Sequence, residues 1–210
     1  MTDPIEQAAL AALAGRLVVL PTDTVYGIGT RPDDATATTR LFEAKGRPAE
    51  LTLPVLVPTP ATAREIAAFD DRADALALAF WAGPLTLVLP RTAASRGWEL
   101  GGDPGTVGVR MPHHPLTLAV LARTGPLAVT SANRSGEPTP TTCEGVQKVF
   151  GEAVTVYLCE GEPLAATAST VVDLAKGEPR VLREGAVTEV DVRAALGRLN
   201  GGQPGLEVPR

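Results

Sequence analysis

RLVVLPTDTVYGIGTRPDDATATTRLFEAKGRPAELTLPVLVP, residues 16–58, sets the pattern on which the fold depends. Apolar runs predict strands at 16–20 and 53–58, and the Thr- and Gly-rich segment at 21–30 predicts a loop. The segment 33–44 predicts a helix. Asp33 or Asp34 marks the helix start, because an aspartate oxygen can accept hydrogen bonds from the first turn. Strands that alternate with helices are typical of α/β domains.

The rest of the chain continues this alternation. Further helices are predicted at 4–14, 60–68, 71–81, 115–123, 142–150 and 188–200, and further strands at 85–90, 107–112, 126–133, 154–160, 169–174 and 179–184. The close spacing of the last three strands predicts that part of the sheet is antiparallel. We predict one α/β domain over residues 1–200, with a twisted, open, mixed sheet flanked by helices, and a loose tail at 201–210.

The composition limits the classes of partner. The 210 residues carry a net charge of -5, and 4% of them are aromatic. A chain-wide basic surface for nucleic acid is therefore not predicted, and few rings are available to stack on single-stranded bases. No apolar run reaches the ~18 residues of a membrane span, and the N-terminus lacks the basic region of a signal peptide. We predict a cytoplasmic protein without membrane association.

The metal-binding residue types do not form a recognisable site in the sequence. Cys143 and Cys159 lie in no CxxC or Cys/His spacing, so we predict two buried, reduced thiols rather than a disulfide or a zinc site. His113 and His114 lack a carboxylate at ligand spacing, and neighbours in a strand point to opposite faces. No metal site is predicted, and we interpret His114 with Pro115 as the entry to a helix.

Hydroxyl, amide and cationic side chains gather near the predicted strand ends. They are Thr22, Thr24, Tyr26, Lys45, Arg47, Thr106, Arg110, Thr130, Ser131, Asn133, Ser169, Thr170 and Arg183. Taken singly, each could hold a turn or form a surface ion pair of little value. Loops at the strand ends of an open α/β sheet form a ligand crevice, so the combination predicts a cationic pocket for a polyanion such as a nucleotide triphosphate.

Several sequence blocks occur in the order found in one family. They are PTDTVYGIG, KGRP, LPVLV, WAGPLTLVL, TVGVRMPHHP, TSANRSGEPTPT and STVVDL…VLREG. The chain thereby resembles the YrdC-like family of L-threonylcarbamoyladenylate synthases, in the short form with the YrdC-like domain alone. The resemblance implies a concave, positively charged ligand pocket and an enzyme that forms threonylcarbamoyl-AMP and pyrophosphate from L-threonine, bicarbonate and ATP. It also implies Mg²⁺ with the triphosphate, and downstream threonylcarbamoyl-transfer proteins that modify tRNA adenosine.

The resemblance also assigns roles to individual positions. The catalytic and nucleotide-binding signature falls on Lys45, Arg47, Ser131 and Asn133, with further nucleotide contacts at Thr106, Thr139 and Arg183. The threonine contacts fall on Thr22, Tyr26, Arg110, Thr130, Ser169 and Thr170, where Arg110 is expected to hold the substrate carboxylate. The chain departs from the family pattern at Asp23, where Glu is commoner, at Leu51-Thr52 and at Ala168.

Three rival hypotheses predict other functions. One is a paralogue that keeps the fold but not this reaction, which the complete set of Lys45, Arg47, Ser131 and Asn133 argues against. Another is an RNA-binding YrdC-like module without this activity, which the net charge of -5 argues against. The resemblance allows a direct tRNA contact but does not require one. The third is carbamoyl transfer, as in larger enzymes with a YrdC-like domain, for which this chain has neither the length nor the cysteines.

Overall fold

The computed structural model describes residues 3–162, 164 and 167–200. Within these residues there are nine strands: β1 Val18–Leu20, β2 Gly27–Thr30, β3 Val55–Leu56, β4 Leu85–Pro90, β5 Thr106–Arg110, β6 Leu127–Ser131, β7 Val156–Tyr157, β8 Thr170–Asp173 and β9 Arg180–Arg183. They form one sheet in the order β7-β1-β2-β6-β3-β5-β4-β8-β9. The β1–β7, β3–β5 and β4–β8 pairs are parallel and the other five are antiparallel, which confirms the predicted mixed sheet.

The helices occur where the sequence predicts them. Their bounds are α1 Pro4–Leu13, α2 Ala35–Lys45, α3 Pro60–Ile66, α4 Asp71–Phe80, α5 Pro115–Thr124, α6 Cys143–Phe150 and α7 Glu189–Asn200. Their starts agree with the predictions because the caps are present. Asp34 accepts hydrogen bonds from Thr36 N and Ala37 N, and the Asp70 side chain accepts one from Ala73 N.

Apolar clusters lie on both faces of the sheet. Alternate residues of β1 belong to different apolar clusters, Val19 to one and Val18 and Leu20 to the other. Alanines of α1 and residues of α5 pack into the second cluster, whereas residues of α2, α3, α4, α6 and α7 pack into the first. The sheet therefore has helices on both sides, and its position is fixed by burial of apolar side chains.

The predicted loop at 21–30 is wrong in its second half, which is strand β2. Its two glycines led to the loop prediction, but both have a steric reason within the sheet. A Cβ atom on Gly27 would lie 2.5 Å from Val129 Cγ1, and one on Gly29 would lie 2.5 Å from the Ala128 carbonyl oxygen. Glycine is needed here because β6 packs against this strand too closely for a side chain.

The prediction of two buried, reduced thiols is also wrong. Cys143 and Cys159 form a disulfide with a Cα–Cα distance of 5.5 Å, and Cys159 is exposed. Cys143 is the first residue of α6, and Cys159 follows β7. The sheet topology brings these two points together, which a sequence separation of 16 residues could not indicate.

The described residues test the prediction of no membrane span, but they do not test the predictions for the C-terminus. None of the described helices is long and apolar enough to cross a membrane. The predicted tail at 201–210 lies outside the described residues, so it stays a prediction, as does the single-domain boundary at residue 200.

Candidate functional site

One face of the sheet is the floor of a cavity of about 700 Å³. Seven consecutive strands of the sheet each contribute a lining residue: Gly27, Val129, Leu56, Gly108, Val88, Val171 and Leu182. Polar loops that follow or precede these strands form the walls. The cavity therefore lies over one face of the sheet from β2 to β9, whereas the residue pattern predicted a crevice at the strand ends.

Nine of the predicted site residues line this cavity. They are Thr22, Arg47, Thr106, Arg110, Thr130, Ser131, Thr139, Ser169 and Arg183. The structure brings them together from six separate stretches of the chain. Tyr26, Lys45, Asn133 and Thr170 are not among the lining residues, and each of them instead holds part of the surrounding backbone.

A buried polar cluster forms around Arg110, whose guanidinium is almost fully enclosed. Its Nε donates to the Gly83 carbonyl at 3.0 Å, its Nη1 to Thr24 Oγ1 at 3.1 Å, and its Nη2 to Asp23 Oδ1 at 2.6 Å. Burial lowers the pKa of Arg110, and the charge of Asp23 opposes this shift. From the sequence, Asp23 is a departure from the family pattern and has no assigned role.

Thr22 belongs to the same cluster and fixes the turn that carries Asp23. Its hydroxyl donates to the Val25 carbonyl at 2.6 Å and accepts from the backbone N–H groups of Thr24 and Val25. Since the single Thr22 proton is used, Thr24 donates in the 2.9 Å contact between the two hydroxyls. The threonines thus line the cavity and hold a tight turn at once.

Arg183 and Ser169 form a second polar group on the wall. Arg183 donates from Nε and Nη2 to the Ser169 carbonyl at 3.0 and 2.8 Å, and from Nη2 to Ser169 Oγ at 3.1 Å. Ser169 Oγ also lies 3.2 Å from Thr86 Oγ1. Thr170, the next residue, faces away from the cavity and is hydrogen-bonded to the backbone of Gly185 and Val187.

Arg47 follows the helix-ending Gly46, whose φ of 57° is left-handed. Its guanidinium donates to the carbonyls of Leu51 and Thr52 at 3.1 and 3.0 Å. Burial lowers the pKa of Arg47, and the charge of Arg183 lowers it further. Neither arginine has an ion pair within the described residues, so this side of the cavity is suited to an anion.

Lys45 lies behind the cavity wall and is 1% exposed. Its Nζ donates to the carbonyls of Ser131 and Asn133 at 2.5 and 2.6 Å, which ties the end of α2 to the end of β6. Burial lowers its pKa to about 7, and the neighbouring charge of Arg47 contributes. An ammonium group can donate three hydrogen bonds, so one donor remains beyond these two.

Asn133 orders the loop that follows. Its Nδ2 donates to the carbonyls of Arg134 and Glu137 at 2.8 and 2.7 Å, and its Oδ1 accepts from Thr139 Oγ1 at 3.2 Å. Thr139 lines the cavity. Asn133 therefore acts on the cavity through the shape of its own loop.

The histidines have carboxylate partners that their sequence neighbourhood did not show. His114 Nε2 lies 3.1 Å from Glu160 Oε1, and the backbone N–H of His113 donates to Asp23 Oδ1 at 2.9 Å. Burial lowers the pKa of His114, and the charge of Glu160 opposes this. The Tyr26 hydroxyl accepts from Glu160 N at 3.0 Å, so Tyr26 positions this segment from inside the core. His114 is the N-cap residue of α5, as predicted.

A second ion pair lines the cavity at an exposed position. Lys176 Nζ lies 2.7 Å from Asp103 Oδ2, and Asp173 is close by on the same wall. Sequence analysis missed all three residues. Asp103 precedes β5 and Lys176 follows β8, so their proximity depends on the order of the strands.

Solved structures place the fold in a known class. The crystal structure of Pyrococcus abyssi Sua5 complexed with L-threonine is similar with a TM-score of 0.84 and 34% identity, covering 94% of this chain and 59% of that one. The structure of E. coli YciO is similar with a TM-score of 0.79 and 26% identity, covering 87% of this chain and 89% of that one.

The chain belongs to the Sua5/YciO/YrdC family, whose model, described as "Telomere recombination", matches residues 11–185. The threonylcarbamoyl-AMP synthase of Pyrococcus abyssi is 38% identical over 190 residues, covering 88% of this chain and 55% of its own length. A Mycobacterium leprae protein, named a putative threonylcarbamoyl-AMP synthase, is 43% identical over 194 residues, covering 92% of this chain and 88% of its own length. The chain thus spans little more than half of the archaeal relative, and the predicted family and fold are confirmed.

Proposed function

We propose that the cavity forms threonylcarbamoyl-AMP and pyrophosphate from L-threonine, bicarbonate and ATP. One observation carries this proposal: the cavity holds two kinds of arginine site. Arg110 is buried and fixed by neutralising partners, whereas Arg47 and Arg183 face the cavity without a carboxylate among the described residues. The first suits the carboxylate of an amino acid, and the second suits a polyphosphate.

The amino-acid substrate is assigned to the part of the cavity around Arg110. Thr22, Thr130 and Ser169 line the cavity and supply hydroxyl groups for its polar atoms. The relative whose structure contains L-threonine supports threonine as this amino acid. Tyr26 and Thr170 are proposed to act indirectly, since both are committed to backbone partners.

ATP is assigned to the part of the cavity around Arg47 and Arg183. Ser131, Thr139 and Thr106 line the same space and complete the nucleotide contacts. Lys45 and Asn133 support this side from behind, since they hold the backbone that carries Ser131 and Thr139. The third Lys45 donor and its charge are proposed to stabilise the phosphates.

The proposed chemistry needs an oriented anion rather than an activated side chain. Threonine loses its ammonium proton to solvent, and the neutral amine combines with bicarbonate to give a carbamate and water. A carbamate oxygen then attacks the α-phosphorus of ATP, and the bonding electrons leave with pyrophosphate. The protein contributes orientation through Arg110 and charge neutralisation through Arg47 and Arg183.

Mg²⁺ is proposed to accompany the triphosphate, because a divalent cation shares the charge that the leaving pyrophosphate gains. Phosphate oxygens would provide most of its ligands. Asp103 and Asp173 are the carboxylates that the described part of the cavity wall offers, and carboxylate oxygens suit this ion.

The product is proposed to pass to threonylcarbamoyl-transfer proteins that place the group on N6 of a tRNA adenosine. A cytoplasmic location is proposed because tRNA and ATP are found there. The rival hypothesis of RNA binding has less support, since Arg47, Arg110 and Arg183 line a cavity of about 700 Å³, which fits a nucleotide better than a duplex.

The proposal is tested by measuring pyrophosphate release with each substrate omitted in turn. We expect release to require L-threonine, bicarbonate and ATP together, and mass spectrometry to detect threonylcarbamoyl-AMP. Arg183→Ala should reduce release, while Arg31→Ala, which removes an arginine paired with Asp33 outside the cavity, should not. Release that continues without threonine would refute the proposal.

A further inference from the structure

We infer that Asp23 is a positioning residue that sets the orientation of Arg110 for the carboxylate of the amino-acid substrate. This inference rests on the proposed function, because it gives a role to a residue next to the proposed amino-acid site. Asp23 itself is not among the residues that line the cavity, whereas Arg110 is. Any effect of Asp23 on the substrate is therefore indirect, and its contact with the cavity-lining Arg110 is the route that we infer.

The hydrogen bonds of Arg110 leave a defined pair of donors. A guanidinium has five N–H groups. Three are used by the Gly83 carbonyl, Thr24 Oγ1 and Asp23 Oδ1, which leaves one N–H on each of Nη1 and Nη2. Arg110 lines the cavity, so these two N–H groups are the donors that it can offer to a carboxylate. Rotation of the guanidinium would break the existing bonds, so those bonds fix its orientation.

Asp23 is the charged member of this set. Its Oδ1 lies 2.6 Å from Arg110 Nη2, and the two side chains are 14% and 8% exposed. The same oxygen accepts the backbone N–H of His113 at 2.9 Å. Asp23 therefore connects the turn after β1, the end of β5 and the segment that enters α5, and it holds Arg110 relative to all three.

Asp23 supplies both a hydrogen-bond acceptor and a negative charge, and a substitution can separate the two. Its Oδ2 is buried and has no hydrogen-bond partner within the described residues. The amide of an asparagine could accept the same bond from His113 but would leave Arg110 without a counter-charge. Asp23→Asn therefore separates the structural role from the positioning role.

The experiment measures KM for L-threonine and for ATP separately in the pyrophosphate-release assay. For Asp23→Asn we expect KM for L-threonine to rise about tenfold or more, as for loss of a charged hydrogen bond, while KM for ATP stays within about twofold. Asp23→Glu keeps the charge and should hold KM for L-threonine within about threefold of wild type. Asp33→Asn, the same change in an ion pair outside the cavity, is the matched control.

A double-mutant cycle tests whether Asp23 acts through Arg110. If it does, Asp23→Asn should have little further effect on kcat/KM for L-threonine in an Arg110→Lys background. If Asp23→Asn does not fold, Asp23→Ser replaces it, because a serine hydroxyl can also accept a hydrogen bond from a backbone N–H group. Additive effects, or equal KM for Asp23→Asn and wild type, would overturn the inference.

The two proposals fail in different ways. A wild-type protein that releases no pyrophosphate in response to threonine would refute the proposed function. A wild-type protein that does so, with KM for L-threonine unchanged by Asp23→Asn, would refute the positioning role alone. Equal increases for Asp23→Asn and Asp23→Glu would also refute it, since the carboxylate would then not matter.

Discussion

Two ion pairs at the cavity have nearly the same length but differ in burial. The inner pair, Asp23–Arg110, has an N–O distance of 2.6 Å and side chains that are 14% and 8% exposed. The outer pair, Asp103–Lys176, has a distance of 2.7 Å and side chains that are 42% and 65% exposed. Judged by distance alone, the two ion pairs would have the same strength.

Burial makes the two pairs unequal in energy. Water and salt screen the outer pair, and exposed pairs of this kind contribute about 0–1 kcal/mol. Loss of one member of a buried pair leaves the other charge without solvent, which costs about 3–5 kcal/mol. The inner pair can therefore fix a geometry, whereas the outer pair can exchange partners at little cost. A rigid end and an adaptable end suit a cavity that must orient one substrate and admit another.

The strongest test of this comparison is Arg110→Gln. We expect it to lower the free energy of unfolding by about 3–5 kcal/mol, because Asp23 would remain buried without its counter-charge. Pyrophosphate release at a fixed threonine concentration should fall by about a hundredfold or more. Urea denaturation measures the first effect. A loss of stability below about 1 kcal/mol would place the inner pair in the same class as the outer one.

Lys45→Met tests a buried cation that has no carboxylate partner among the described residues. The change keeps the apolar stem and removes the two hydrogen bonds to the carbonyls of Ser131 and Asn133. It also removes the third donor and the charge that are proposed to act on the phosphates, and loss of a charged hydrogen bond costs about 1.5–3 kcal/mol, so we expect KM for ATP to rise about tenfold. Lys148→Met, which removes an exposed lysine paired with Glu144, is the control and should have no effect. A larger change in KM for threonine than for ATP would contradict this role.

The pH dependence of ATP binding gives a smaller effect with a defined sign. The pKa of Lys45 is lowered from 10.5 to about 7, so the folded protein loses this proton between these values while the unfolded chain keeps it. Its charge is present below pH 7 and is lost as the pH rises, so KM for ATP should rise several-fold between about pH 7 and 9. Over the same interval this residue makes the free energy of unfolding increase with pH. Lys45→Met should have a flat profile, and an equal slope in both proteins would contradict the assignment.

Lys176→Ala should have the smallest effect. It removes the outer pair, so the free energy of unfolding should change by less than about 1 kcal/mol. Pyrophosphate release should remain within about twofold of wild type at moderate ionic strength. A loss as large as that of Arg110→Gln would show that burial does not explain the difference between the pairs.

The sequence predicted the elements of the fold better than their contacts. Helix starts were predicted closely because residues such as Asp34 and Asp70 are caps whose action is local. Strand β4 was predicted with its bounds, since its apolar run is long and ends at Pro90. Strand β2 was missed because its glycines are required by the close approach of strand β6, which lies about a hundred residues away in the chain.

The site was predictable in its residue types but less so in its geometry. Motifs identified most of the polar lining residues, because they follow strands that meet at one face of the sheet. They could not show that Lys45 lies behind Ser131 rather than in the wall, since that depends on how α2 packs against β6. Sequence motifs also could not predict the ion pair between Asp103 and Lys176, because this contact depends on the parallel pairing of β4 with β8.

The disulfide between α6 and the segment after β7 gives the protein a built-in reporter. The sequence contains two cysteines, and both are in this bond. An alkylating reagent should therefore add no mass to the oxidised protein and two adducts after reduction. Intact-mass spectrometry of a freshly lysed, alkylated sample would give the fraction of molecules that contain the disulfide, without any engineered label.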